Sequence, residues 1–226
     1  MIRYEVLNHG FIELDAHCAD DLSVVNAARV SLNKKSEELS DADVGLFKFL
    51  MREHHGTPFE HGYFRFRVKA PIFVFREWHR HRVGHSYNEW SARYSEMEPE
   101  FYIPDEFVSQ VGKPGAYSFE PITDKQVMIK AYSSVIMACD EGYRRYKELL
   151  NLGVSKQQAR TVLPVGTFSQ MIWSCNPRSL MHFLNLRNSA NAQEEIREYA
   201  IAAEKIFKEI MPITAQAFID LGRQVP

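Results

Sequence analysis

Apolar positions along this chain recur at two different spacings, and each spacing predicts an element. Ile2 to Leu7 and Phe11 to Leu14 flank Asn8-His9-Gly10, the pattern of two short strands around a turn. Tyr63 to Val68 alternates aromatic and basic residues through Phe64, Arg65, Phe66 and Arg67, the period of a strand with one buried face. Helical spacing starts at Asp21-Leu22-Ser23 and runs through Val24, Val25, Ala28 and Leu32. It starts again near Ser40-Asp41, where polar caps precede Val44, Phe47, Leu50 and Met51. Pro71 suits the first position of a helix, since it lacks an amide hydrogen that would find no partner there. That helix carries Phe73, Phe75, Trp78 and His79.

The second half reads as mainly helical. Met128, Tyr132, Val135, Cys139, Tyr143, Tyr146 and Leu150 follow three- and four-residue spacing, and Asn151-Leu152-Gly153 ends the run. Asn176-Pro177 is a helix start, a capping side chain followed by proline. Ile196, Tyr199, Ala203, Ile206 and Ile210 mark another amphipathic helix before Pro212. Between Glu98 and Pro121 lie Pro99, Pro104, Gly112, Pro114, Gly115 and Pro121, which predict a long surface excursion with no second hydrophobic core behind it. The expectation is one mixed α/β domain over residues 1–226.

Composition narrows the function classes. Of 226 residues, 45% are hydrophobic and 25% charged, which suits a soluble globular chain. The 27 basic and 29 acidic residues nearly cancel, so no general attraction to nucleic acid is expected and any basic site is a local one. Cys18, Cys139 and Cys175 have neither metal-ligand nor redox spacing. The N-terminus has no signal-peptide core, and no apolar run approaches the ~18 residues of a membrane span. A cytoplasmic protein with no membrane partner is expected.

Three clusters carry candidate chemistry. Arg80, His81, Arg82, His85, Asn88, Glu89, Ser91 and Arg93 are crowded together, with Tyr87, Trp90 and Tyr94 among them. Guanidinium forks suit phosphate or carboxylate, the amide and carboxylate can read a heterocycle, and the rings can stack on one. Spacing alone leaves a nucleotide site and a solvated basic turn both open. In the second cluster, His54, His55, Glu60 and His61 invite a metal, but no H-E-x-x-H pattern completes a ligand set and none is expected. Gly56-Thr57-Pro58 reads as a turn that presents His55 and Thr57 to a ligand.

The third cluster runs from Asn176 to Asn191. Leu180, Phe183, Leu184 and Leu186 are expected in the core, and Arg178, His182 and Asn185 lie along one helical side. Arg187 stands near the helix end beside asparagines. Cys175 has no base or cation among its sequence neighbours, which favours a buried, inert thiol over a nucleophile. With no G-x-G-x-x-G and no Walker loop, a dinucleotide must be held by side chains.

At these residues the sequence resembles the flavin-dependent thymidylate synthases, the ThyX family. Their signature is R-H-R, seven residues, then a serine followed by x-R-Y. Arg80-His81-Arg82 and Ser91-Ala92-Arg93-Tyr94 match it, and Ser86-Tyr87-Asn88-Glu89 matches its interior. The likeness extends from Asp21 to about Ile210 through Thr57 to His61, Val68 to Val74, Ala159-Arg160 with Leu163-Pro164, and Ser179 to Arg187. There are departures. Eight residues separate Arg82 from Ser91, Glu77 stands where glutamine is frequent, and Asn191 stands where histidine is common.

The resemblance implies an α+β domain with a small, mainly antiparallel sheet packed by helices. It implies a homotetramer with active sites at subunit interfaces, methylating dUMP with FAD, NADPH and 5,10-methylenetetrahydrofolate. It assigns FAD to His55, Thr57, Arg80, His81, Arg82, Glu89, Asn176, Pro177, Arg178 and His182. It assigns dUMP to Glu77, Trp78, His79, Arg80, Glu89, Trp90, Ser91, Ala92, Arg93, Arg160 and Arg187, with Arg187 activating the uracil ring. A nucleic-acid module and a histidine-ligated hydrolase are the competing classes.

Overall fold

Apolar side chains on alternate residues build the first sheet. In the computed structural model, which describes residues 2–114 and 116–226, β1 (Ile2–Val6) and β2 (Gly10–His17) form an antiparallel hairpin. Strand β3 (Phe64–Pro71) pairs antiparallel with β2, with a register shift between Leu14 and Ala16. Its Phe64, Phe66 and Val68 are buried while Arg65 and Arg67 are exposed, as the alternation predicts. Strands β4 (His85–Glu89) and β7 (Phe168–Cys175) pair antiparallel, and the five-stranded order is β1-β2-β3-β7-β4.

The described residues fall into two compact units, one of residues 1–90 and 170–226 and one of residues 91–169. In the first unit, α1 (Asp21–Arg29) starts on an Asp20 cap and α2 (Asp41–Arg52) on a Ser40–Asp43 capping box. Helix α3 is Ile72–Trp78, so Pro71 ends β3 and caps the helix rather than opening it. Helix α6 (Pro177–Arg187) begins where Asn176 accepts a hydrogen bond from the Ser179 amide at 2.8 Å. Helix α7 (Glu194–Ile210) buries Ile196, Tyr199, Ala203 and Ile206 and packs on β1, β2 and α6.

The apolar spacing predicts a helix that ends before Pro212, and a further helix, α8 (Pro212–Asp220), follows it. The proline occupies a first-turn position, where its missing N–H is harmless. The free amides of Ile213 and Thr214 both donate to the buried carboxylate of Asp21, each at 2.9 Å. At the centre of the unit, Trp78, Trp173, Phe183 and Tyr199 pack ring against ring, with Trp78 and Phe183 centroids 4.8 Å apart.

The second unit holds the other elements: β5 (Val108–Lys113), β6 (Ala116–Pro121), α4 (Lys125–Asn151) and the single turn α5 (Lys156–Ala159). The segment expected as an irregular excursion contains the antiparallel β5–β6 hairpin, whose residues are all exposed. Gly115, one of the glycines that predict the excursion, lies outside the described residues. Helix α4 ends at Asn151 as its spacing predicts and buries Cys139 and Tyr146. No helix among the described residues is long and apolar enough to cross a membrane.

Leu32, Val44 and Leu186 belong to the predicted apolar patterns but are 66%, 41% and 50% exposed. Leu32 ends a 3₁₀ turn (Val30–Leu32) rather than continuing α1, Val44 lies in the first turn of α2, and Leu186 is on the outer side of α6.

Candidate active site

The last turn of α3, the loop after it, the start of β4 and the inner side of α6 bring polar groups together against the aromatic core. Arg187, in the last turn of α6, donates three hydrogen bonds. Its Nε reaches His81 Nε2 at 2.9 Å, Nη1 reaches Glu77 Oε2 at 2.7 Å, and Nη2 reaches the Glu77 carbonyl oxygen at 3.0 Å. The Arg187 and Glu77 side chains are 19% and 26% exposed, so the pair is screened from water but open to a ligand.

His81 is itself fixed. It is buried, edge-on to Phe183 at 5.0 Å, and its carbonyl accepts the Tyr87 hydroxyl at 2.7 Å. Burial, with Arg187, His85 and His182 nearby, lowers its pKa from the ordinary 6.5 to about 3. The ring is neutral, and because Nε2 accepts from Arg187 its proton sits on Nδ1. His85 stacks on Trp173, whose indole N–H donates to His85 Nδ1 at 2.9 Å, placing the His85 proton on Nε2. Burial and then His182 lower its pKa to about 4. Burial raises the Glu77 carboxyl, with Arg187 opposing and Glu195 adding to the shift.

The stretch between Arg82 and Ser91, one residue longer than the family signature, turns at Gly84. Gly84 takes φ +71°, a left-handed conformation, and a Cβ there would strike the Ser179 hydroxyl. That hydroxyl holds the Val83 carbonyl at 3.0 Å, so the longer turn is tied to α6.

In the first unit, Glu77, His81 and Arg187 form the bonded group just described, with the His182 ring 5.8 Å from His81. His79 caps α3 and meets the Tyr87 ring at 4.9 Å. Arg80 and Arg82 are exposed, without ion-pair partners among the described residues. Glu89 ends β4, and the Trp90 amide donates to the Gln170 carbonyl at 2.7 Å. His55 and Thr57 are exposed around a 3₁₀ turn (Thr57–Phe59). Arg178 is exposed and held by Glu60 at 2.6 Å and by the Pro226 carbonyl at 2.7 Å. In the second unit, Arg93 is exposed, its guanidinium 5.5 Å from the Tyr94 ring, and Arg160 is exposed at the start of a 3₁₀ turn (Arg160–Val162). Ser91 is half-buried there.

The side chains of Trp78, Ala92 and Pro177 are buried, Trp78 completely, which leaves their backbone atoms as the groups nearest to a ligand. Conversely, Glu60 and Trp173 were not assigned to a site, yet one holds Arg178 and the other sets the His85 tautomer. The alternation of buried Met171, Trp173 and Cys175 could have revealed that strand. Cys175 is buried and desolvation raises its thiol well above the ordinary value, the opposite of a nucleophile.

The flavin dinucleotide implied by the resemblance needs donors for a diphosphate, and this unit supplies them. Arg80, Arg82, His182, His55 and Thr57 present exposed donors. Gly56 lets Arg178 pack against the turn, since a Cβ there would sit 2.5 Å from the guanidinium Nε. The donor set fits.

The model of the family described as thymidylate synthase complementing protein matches residues 13–213. A flavin-dependent thymidylate synthase of Thermotoga neapolitana is 45% identical over 230 residues, covering 99% of this chain and 100% of that protein. Another, from Thermosipho africanus, is 44% identical over 218 residues, covering 96% of this chain and 94% of that protein. Among solved structures, the UMP/dUMP methylase PolB from Streptomyces cacaoi bound with 5-Br dUMP is similar with a TM-score of 0.87 and 39% identity, covering 99% of this chain and 100% of that one. The same methylase bound with 5-Br UMP gives a TM-score of 0.87 over 98% and 99% of the two chains. Likeness of this extent, running through both the Arg187 group and the arginine-rich turn, places the chain in the family of flavin-dependent thymidylate synthases, which are methyl-transferring enzymes.

Proposed function

We propose that this chain converts dUMP to dTMP, with 5,10-methylenetetrahydrofolate as the methylene donor, NADPH as the reductant and bound FAD as the hydride carrier. Residues 1–226 act as one thymidylate synthase domain, in a cytoplasmic homotetramer whose active sites lie at subunit interfaces. The observation that carries the reading is the triple anchoring of Arg187 by Glu77 and His81. A guanidinium has five N–H groups, so one remains on each terminal nitrogen for a ligand.

Two such donors suit the carbonyl edge of a uracil ring. Uracil is a weak nucleophile at C5 and a poor hydride acceptor. The forms involved in overcoming these, the ring ionised at N3 and the enolate left by hydride addition, carry negative charge at the carbonyl edge. A fixed cation at the carbonyl edge stabilises the negative charge that develops there, without reorganising during reaction. Arg80, Arg93 and Arg160 hold the nucleotide phosphate, and Glu89 and Ser91 orient the rest of the nucleotide, replacing a chance encounter with a positioned one. His55, Thr57, Arg80, Arg82, Asn176, Arg178 and His182 hold the flavin. With Cys175 buried and protonated, no thiolate adduct to the ring is required of this chain.

The test is spectroscopic. Purified protein carries flavin absorbance that NADPH bleaches, and it forms dTMP from dUMP and methylenetetrahydrofolate. Colourless protein holding stoichiometric zinc, or flavin-loaded protein that leaves dUMP unchanged, overturns the proposal.

A further inference from the structure

We propose that His81 is a positioning residue: as the uncharged acceptor of the Arg187 Nε–H, it sets the plane in which the guanidinium meets the nucleotide ring. The inference rests on the reading above that Arg187 acts on that ring. It gives His81 a role apart from any contact with flavin.

The geometry makes the need specific. Glu77 holds Arg187 at two points, Nη1 at 2.7 Å and Nη2 at 3.0 Å, and two points define only an axis. The planar guanidinium can still tilt about that axis. The third point, His81 Nε2 at 2.9 Å from Nε, fixes the plane and therefore the direction of the two remaining N–H groups. His81 can serve as a fixed point because it does not move freely. It is buried, edge-on to Phe183 at 5.0 Å, with its amide donating to the Trp78 carbonyl at 3.0 Å and its carbonyl accepting the Tyr87 hydroxyl at 2.7 Å.

Chemistry also favours imidazole at this point. An acceptor is required, and a second carboxylate would cancel the arginine charge that the reaction uses. Neutral imidazole accepts without cancelling it. The charged and titratable groups facing His81 are Arg187 and His182 on α6 and His85 on β4, and each disfavours the imidazolium form that could not accept.

Three variants of the flavin-loaded enzyme decide the matter: His81→Leu, His81→Gln and the double variant His81→Leu/Arg187→Ala. Flavin content, KM for dUMP and kcat are measured for each beside Arg187→Ala. Loss of one preorganised donor costs on the order of 10²–10³-fold in kcat. His81→Leu is expected to keep flavin and KM while losing kcat on that scale. Because His81 acts through Arg187, the double variant is expected to be no slower than Arg187→Ala alone. His81→Gln, whose amide oxygen replaces Nε2, recovers most of the loss. ¹⁵N spectra of histidine-labelled holoprotein should show His81 neutral with its proton on Nδ1, titrating at higher pH once Arg187 is removed.

Losses that multiply in the double variant overturn the inference, as does wild-type kcat in His81→Leu beside an inactive Arg187→Ala. Near-wild-type turnover in Arg187→Ala overturns both the inference and the reading beneath it. If His81→Leu sheds its flavin, His81→Asn supplies the contrast, since its shorter amide reaches Nδ1 and not Nε2. Turnover in His81→Gln alone then supports the role, and equal turnover in both overturns it.

Discussion

Arg187 touches Glu77 twice, through the carboxylate at 2.7 Å and the main-chain carbonyl at 3.0 Å, although 110 residues separate them in sequence. Only the first contact depends on the side chain. Glu77→Gln keeps an acceptor for Nη1 while removing the charge, whereas Glu77→Ala removes both. A hydrogen bond to a charged group contributes about 1.5–3 kcal/mol, so kcat in Glu77→Ala should fall below that of Glu77→Gln by on the order of tenfold. Steady-state kinetics on the two variants checks this, and equal rates would remove the side chain from the anchoring of Arg187.

Cys175→Ala should remain active. The thiol is buried, and desolvation alone holds its pKa above the ordinary value, so thiolate is not available as a nucleophile. A folded, flavin-loaded variant that forms no dTMP would restore the thiolate to the mechanism.

Ser91→Ala should retain part of its activity, with a raised KM for dUMP, because the serine orients nucleotide rather than attacking it. Its hydroxyl lies 3.4 Å from the Arg93 amide, a turn contact with no general base attached. Mass spectrometry of quenched turnover checks the point, and a covalent serine–nucleotide adduct would contradict it.

Folding stability should fall as the solution is acidified below pH 6.5. His81 and His85 have pKa values depressed from 6.5 to about 3 and about 4. Their neutral forms are favoured in the fold, so the unfolded chain binds more protons throughout that window and stability rises with pH. The contribution is fully present above pH 6.5 and is lost as pH falls towards about 4 and then about 3. For a single fully depressed group the slope approaches ~1.4 kcal/mol per pH unit. Denaturant melts from pH 7 to pH 4.5 on wild type and His81→Gln measure it. An unchanged slope in the variant would mean that His81 titrates normally in the fold.

Local pattern carried much of the fold. The alternation in β3, the Asn176-Pro177 start of α6 and the apolar stripe of α7 each lie within one element, where period and caps act over a few residues. Contacts between distant residues were not legible in this way. Asp21 caps α8 across 192 residues, and nothing near Pro212 announces that partner. Strand β4 escaped because its polar residues were read for chemistry, and none of them is fully buried to mark an inner face. For the candidate site, the sequence singled out Arg187 and His81 separately and assigned them to different ligands. The structure joins them in one hydrogen bond. Trp78 sits beside polar signature residues in sequence, yet its indole completes the aromatic core because α3 turns it inward.

The most direct measurement is dTMP formation by Arg187→Ala at matched flavin content, with saturating dUMP and methylenetetrahydrofolate. The anchored guanidinium is placed at the reacting ring, so the variant should bind flavin like wild type and lose kcat on the order of 10²–10³-fold. Turnover within a few-fold of wild type at equal flavin content would contradict that placement.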